Sequence, residues 1–160
     1  MNKKIVDAMY KIIVAKLEEH VQSKQFHMVS CIHGDPVFSN ILIDDKGHCH
    51  FIDMRGILDG QCTTSGDLLY DLSKVYQSVL GYDEIILDLD QSEGFDMNIE
   101  AYHEELKASY WEFVKSNYPH INHDMIPYLT AAHYFCIVPL HINPVHQKKF
   151  LQYAKMVLGM

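Results

Sequence analysis

The stretch His33-Gly34-Asp35-Pro36-Val37-Phe38-Ser39-Asn40, with Phe51-Ile52-Asp53 a little further on, decides how this chain is read. It sets an Asp and an Asn five residues apart on a short loop, then a second Asp thirteen residues after the Asn, at the end of an apolar run. Ile41-Leu42-Ile43 and His48-Cys49-His50-Phe51-Ile52 flank Asp44-Asp45-Lys46-Gly47. Two β-prone runs around such a turn predict a hairpin. A hairpin brings Asp53 back beside the loop that carries Asp35 and Asn40.

Those residue types fit phosphoryl transfer. A carboxylate at Asp35 is ionised at neutral pH and only accepts hydrogen bonds, so it can orient or deprotonate an attacking hydroxyl. Asn40 offers an amide oxygen and Asp53 an anionic oxygen, a ligand pair suited to Mg²⁺ with water and phosphate completing its shell. His33 is expected to brace the loop. A single H-x-D-x-x-x-x-N match is weak by itself, because an Asp before Pro36 is common in turns and Asn40 could cap one. The hairpin and a helix start at Gly66-Asp67 strengthen it.

Working outward, residues 4–22 have helical periodicity, and Val29 to His33 reads as a short strand leading into the loop. Residues 54–66 hold three glycines and no periodicity, and are expected to be a loop. A helix follows, with Asp67 as N-cap and Gly81 as its stop. Residues 85–97 are ambiguous between a short strand and a helix end. Helices are expected over 100–117 and 124–140, and from Asn143-Pro144 to about Leu158. The expected class is α+β, mainly helical, in one domain over 1–160.

The bulk properties exclude other classes. Net charge is −8, with 21 acidic against 13 basic residues and no long basic run, so nucleic acid is not expected as a partner. No apolar stretch is long enough for a membrane span, and the charged amino terminus lacks the apolar block of a signal peptide. Cys31, Cys49, Cys62 and Cys136 have no C-x-x-C spacing, consistent with reduced thiols and a cytoplasmic location.

Three blocks carry a family resemblance: His33 to Asn40, Phe51-Ile52-Asp53, and Gly66-Asp67-Leu68-Leu69-Tyr70-Asp71-Leu72. Together they resemble the aminoglycoside phosphotransferase and choline kinase-like family. The nearest flavour is that of phosphotransferase domains encoded with bacterial capsular or surface polysaccharide genes. The resemblance implies the carboxy-terminal lobe of a protein kinase-like fold, with the small hairpin carrying the catalytic loop. It implies Asp35 as catalytic base, Asn40 and Asp53 as magnesium ligands, and Asp67 as a brace on the catalytic loop. Asp71 is read as tightening helix packing. ATP or another nucleoside triphosphate would be the donor and a small-molecule hydroxyl the acceptor; a sugar or polysaccharide precursor is the first expectation. Protein kinases usually carry a Lys two residues after the base; Val37 stands there, which points away from protein acceptors.

Half of such a site has no counterpart in the sequence. The eight glycines never form G-x-G-x-x-G, and no strand carries a phosphate-pairing Lys. An amino-terminal lobe or partner domain is therefore expected to supply them. The alternative is a catalytically silent binding or assembly module that keeps the lobe. If the chain is one lobe of a larger enzyme, an exposed apolar seam is expected, with a homodimer contact near Phe38 and the start of the first helix, including Ile5.

Other features have plainer readings. The eleven histidines show no zinc-ligand spacing. Tyr102, Tyr110 and Trp111 read as packing residues. Asp88, Asp90 and Glu93 read as a solvated loop, with an acidic groove for a cationic acceptor as the other option. Arg55 could reach phosphate or pair with a loop carboxylate.

Overall fold

Asn2 opens the first helix by accepting the Lys4 N–H on its side chain at 2.9 Å, and α1 runs over Lys3–Ser23. Met9, Ile13 and His20 form its buried stripe. Lys24, at φ +53°, ends it in the left-handed conformation. The structure is a computed structural model, which describes residues 2–88 and 99–160. The fold is α+β and mainly helical, as the sequence predicts.

The strands are short. β1 (Met28–Val29) lies antiparallel to β6 (Gly66–Asp67), with Met28 opposite Asp67. The strand expected over 29–33 is therefore mostly absent. Past Val29, the Ile32 N–H bonds to the Thr64 carbonyl, and the chain turns at Gly34, φ +83°. β2 (Ile41–Ile43) and β3 (Cys49–Phe51) form the predicted hairpin, with Ile41 opposite Phe51. The Asp44 carboxylate accepts the Lys46 and His48 N–H groups and so closes its turn.

The region 54–66 corrects the expectation of a plain loop. β4 (Ile57–Leu58) and β5 (Gln61–Cys62) form a second hairpin around Asp59-Gly60. Both turn residues have positive φ, +50° and +77°, as a two-residue Asp-Gly hairpin turn requires. Strands of two residues are too short to show alternation, so only the turn dipeptide announces them.

The helices are α2 (Leu68–Val79), α3 (Tyr82–Ile86), α4 (Ile99–Asn117), α5 (Met125–Cys136) and α6 (Pro144–Val157). Asp67 caps α2 by accepting the Leu69 N–H, and Asn143 caps α6 by accepting that of Val145. Ile85 and Ile86 belong to α3, and the rest of the ambiguous stretch, with Asp90 and Glu93, lies outside the described residues. The helix expected over 124–140 stops at Cys136 and gives way to a 3₁₀ turn over Val138–Leu140. Pro139 has no N–H to continue the α-helical ladder.

α2 is the centre of the molecule. It packs on α5 and α4, while α5 also contacts α1 and α6. Leu69, Leu72, Val79, Tyr110, Val114 and Ile126 share one cluster; Met9, Leu80, Tyr134 and Phe150 share another. Polar pins fix α2 against its neighbours. The Thr130 hydroxyl donates to the Ser73 carbonyl at 3.0 Å, the Tyr134 hydroxyl to Gln77 at 2.8 Å, and the Tyr110 hydroxyl to Leu72 at 2.9 Å. Burial pushes the Tyr110 and Tyr134 phenols well up from the usual range, so they remain donors. Each bond satisfies a hydroxyl that would otherwise be costly to bury.

The expected seam is only partly where the sequence puts it. Phe38 is half-buried against the α2–α4 cluster, and Ile5 is half-buried against the other, so neither is a free apolar surface. The exposed apolar side chains of this region are on the hairpins and beside them: Leu42, Ile43, Phe51, Ile52, Ile57 and Leu58. Among the described residues no helix is long and apolar enough to cross a membrane.

Candidate functional site

Four side-chain oxygens from α2 and α3 hold the loop 33–40. One oxygen of Asp71 accepts the His33 N–H at 2.6 Å and the other that of Gly34 at 2.8 Å. The Ser78 hydroxyl accepts the Phe38 N–H at 3.0 Å, and Asp83 accepts that of Ser39 at 2.8 Å. A buried loop must satisfy its N–H groups somewhere, and here the helices do so. The residues after Phe38 form a 3₁₀ turn over Phe38–Asn40 that leads directly into β2.

Asp35 and Asn40 are brought together by this turn. The Asn40 Nδ2 donates to the Asp35 main-chain oxygen at 2.9 Å, with a longer contact of 3.4 Å to its Oδ2. The amide nitrogen thus faces Asp35, and the Oδ1 of Asn40 is left as the acceptor on the other side. Lys74, on α2, sets its Nζ 2.9 Å from Asp35 Oδ1; the lysine side chain is 11% exposed and that of Asp35 41%. This Oδ1 is itself enclosed and lies off the line of a directed hydrogen bond, so the contact is an ion pair by distance. The Tyr82 phenol is pushed up to about 12, first by burial and then by the negative charges of Asp35 and Asp83. It stays a neutral hydroxyl.

Asp53 follows β3. The Ile52 N–H donates to the Asn40 carbonyl at 3.0 Å, so the end of the hairpin is tied to Asn40 and Asp53 is the next residue. Its φ of +58° is left-handed, a conformation that Asp tolerates better than most residues. Its residue is exposed. His33 accepts the Asp35 N–H on Nδ1 at 3.2 Å, which puts the ring proton of the neutral imidazole on Nε2. That Nε2 is buried without a partner, and the ring lies against Phe51 at 5.5 Å.

Comparison of the chain with protein families, with curated proteins and with solved structures finds no match.

The predicted residues therefore stand on geometry. The structure joins His33, Asp35 and Asn40 directly, and places Asp53 beside Asn40 through the backbone. It exchanges the parts given to the two support residues. Asp67 makes no bond to the loop 33–40 among those described; it caps α2, accepts the His27 N–H at 3.1 Å and meets the His20 Nε2 at 3.1 Å. Asp71 is the residue that holds the loop. Lys74, Ser78 and Asp83 are not among the site residues expected from sequence. For Lys74 and Ser78 the signal is spacing, since with Asp71 they recur at intervals that place them on one face of α2; Asp83, on α3, has no such signal.

Among the described residues no group of three or more His, Cys, Asp or Glu could hold a metal ion. His48 and His50 both meet Asp44, at 2.9 and 3.4 Å, on an exposed hairpin. Asn40 and Asp53, linked through the Ile52–Asn40 backbone bond, each carry a side-chain oxygen of the type that Mg²⁺ takes. Tyr110 stacks on Tyr76 at 4.9 Å and Trp111 packs edge-on against both, so these are packing residues; Tyr102 is exposed. Asp88 meets His146 at 2.8 Å. A hollow of about 180 Å³ near Lys16, His20 and Tyr128 contains none of the site residues.

Proposed function

We propose that this chain is the carboxy-terminal lobe of a kinase-type small-molecule phosphotransferase. The observation that carries the reading is the double tie of Asn40, whose side-chain nitrogen is spent on Asp35 and whose main-chain carbonyl holds the strand end that leads into Asp53. Asn40 and Asp53 would hold Mg²⁺, which when bound neutralises charge on the nucleotide phosphates. Asp35 receives the acceptor hydroxyl on its open carboxylate edge and takes its proton. Lys74 keeps Asp35 fixed and its charge balanced. Asp71, Ser78 and Asp83 hold the loop so that the base does not move as the hydroxyl arrives, which is where positioning contributes to rate. A sugar or polysaccharide precursor is the proposed acceptor, and the intact enzyme is proposed to work in the cytoplasm. The Gly-rich phosphate cover is assigned to an amino-terminal lobe or partner domain, so the 160-residue chain by itself should bind nucleotide weakly.

The test is Mn²⁺ binding in the presence of ATP, read by electron paramagnetic resonance, followed by transfer assays on a panel of sugars with the missing lobe supplied. Asp53→Ala should remove bound Mn²⁺. Asp35→Asn should leave it and lower transfer by about 10²–10⁴-fold. Mn²⁺ binding unchanged by both Asp53→Ala and Asn40→Ala would overturn the site. Metal–nucleotide binding with no transfer to any acceptor would instead identify a silent binding module.

A further inference from the structure

Arg55 is the only arginine among the 13 basic residues of the chain. It is also tightly placed. Its N–H donates to the His33 carbonyl at 2.8 Å, which ties it to the loop bearing Asp35. Its Nη2 donates to the Tyr70 hydroxyl at 2.6 Å, and the guanidinium carbon lies 4.8 Å from the centre of the Tyr70 ring. Among the described residues it has no carboxylate within ion-pair distance. The ion pair considered from the sequence is therefore not formed there. An oriented guanidinium with no counter-charge among the described residues, in a chain of net charge −8, is a ready receptor for a planar or tetrahedral anion.

We propose that Arg55, propped on Tyr70, seats an anionic group of the acceptor, a phosphate or a carboxylate. This deepens the phosphotransferase reading and rests on it for the word acceptor. Arg55 lines a hollow of about 240 Å³ with Ile32, Leu58, Thr63, Ser65, Tyr70 and Asp67, whose carboxylate is engaged by His20 and by the N–H groups of His27 and Leu69. Thr63 and Ser65 share a hydroxyl contact of 2.9 Å on its wall, a surface able to meet sugar hydroxyls. Tyr70 and Lys74 stand one turn apart on α2, so the prop of the arginine and the partner of Asp35 are neighbours. His133 packs edge-on against Tyr70 at 4.8 Å and feels the charge of both cations. Arg55 is thus joined to Tyr70, and Lys74, one turn further along the helix, to Asp35. An anion at Arg55 would hold a compound whose hydroxyl extends toward Asp35. The substrate class is a phosphorylated or acidic sugar.

A lone arginine gives a single Nε–Hε cross-peak in a ¹H–¹⁵N spectrum, and the 160-residue chain can be titrated directly. Inorganic phosphate and glucuronate should each move that peak saturably, and sodium chloride at matched ionic strength should not. Tyr70→Phe should weaken phosphate binding on the order of fivefold, the worth of about one net hydrogen bond. A hexose phosphate should bind more tightly than inorganic phosphate, through the added sugar hydroxyls. No anion-specific shift would overturn the proposal. So would tighter binding of AMP than of the hexose phosphate, because the seat would then belong to the nucleotide. These titrations use no metal and no turnover, so their failure is separable from failure of the Mn²⁺ experiment.

Discussion

Asp71 grips two consecutive peptide groups, taking the His33 N–H on one carboxylate oxygen and the Gly34 N–H on the other, at 2.6 and 2.8 Å. Both bonds are charge-assisted and half-buried, so they should be strong. Asp71→Ala should lower stability by about 2–4 kcal/mol, and Asp71→Asn by less, since one oxygen remains to accept. Urea unfolding checks this. Equal stability of Asp71→Ala and the parent would mean that the loop holds itself.

Stability should fall on the acid side through His133. Its pKa is lowered to about 3, first by burial and then by the charges of Lys74 and Arg55. The folded state therefore resists protonation of a ring that the unfolded chain protonates below its ordinary value near 6.5. Below that value the unfolded state binds more protons, so stability is complete above about 6.5 and is lost progressively as pH falls toward 3. The residue as a whole is only half-buried, so the loss between pH 7 and pH 5 is put at about 1–2 kcal/mol. His133→Gln keeps a partner for Ser73, which His133 meets at 2.8 Å, and should flatten this part of the profile in urea titrations at the two pH values.

Gly34 has no room for a side chain. A Cβ there would lie 2.6 Å from the Cβ of Arg55, and its φ of +83° already disfavours an L residue. Gly34→Ala should cost about 1–3 kcal/mol and displace Arg55 from the loop. The Arg55 Nε–Hε peak is the direct reporter: it should move in this variant even without ligand.

Phe38 should behave as a core residue. It is half-buried against the α2–α4 cluster, so Phe38→Lys should destabilise the fold by about 1.5–3 kcal/mol. Ile43, 70% exposed, loses little packing when changed to Lys, so Ile43→Lys should leave the urea midpoint within about 0.5 kcal/mol of the parent. If light scattering finds self-association, Ile43→Lys should weaken it, because the exposed apolar side chains here are on the hairpins. A destabilised Ile43→Lys together with an unaffected Phe38→Lys would reverse this assignment.

Much of this fold was legible because its signals are local. Asp67 and Asn143 announce their helices by capping, and both do cap them. The hairpin after Asn40 is readable from two β-prone runs and a turn. The second hairpin is not, because its strands have only two residues each. The loop 33–40 is legible as a motif, since its chemistry is contiguous. What holds it is not: Ser78 and Asp83 meet the loop across 40 and 44 residues of sequence. From sequence Asp71 reads as a packing residue, because a polar side chain on a helix carries no mark of what it will face. Polar positions at helical spacing normally turn to water. Here that face of α2 turns to the loop.

That reversal makes the helix a template, and templates fail by register. Asp71, Lys74 and Ser78 reach their partners only while they stay in phase along α2. One residue inserted between Asp71 and Lys74 would rotate everything after it by about 100°. Lys74 and Ser78 would swing away from Asp35 and Phe38, while Asp71 kept its grip on His33. Length changes inside this helix should therefore be far less tolerable than single exchanges on the hairpins, where the chain can absorb them in a turn.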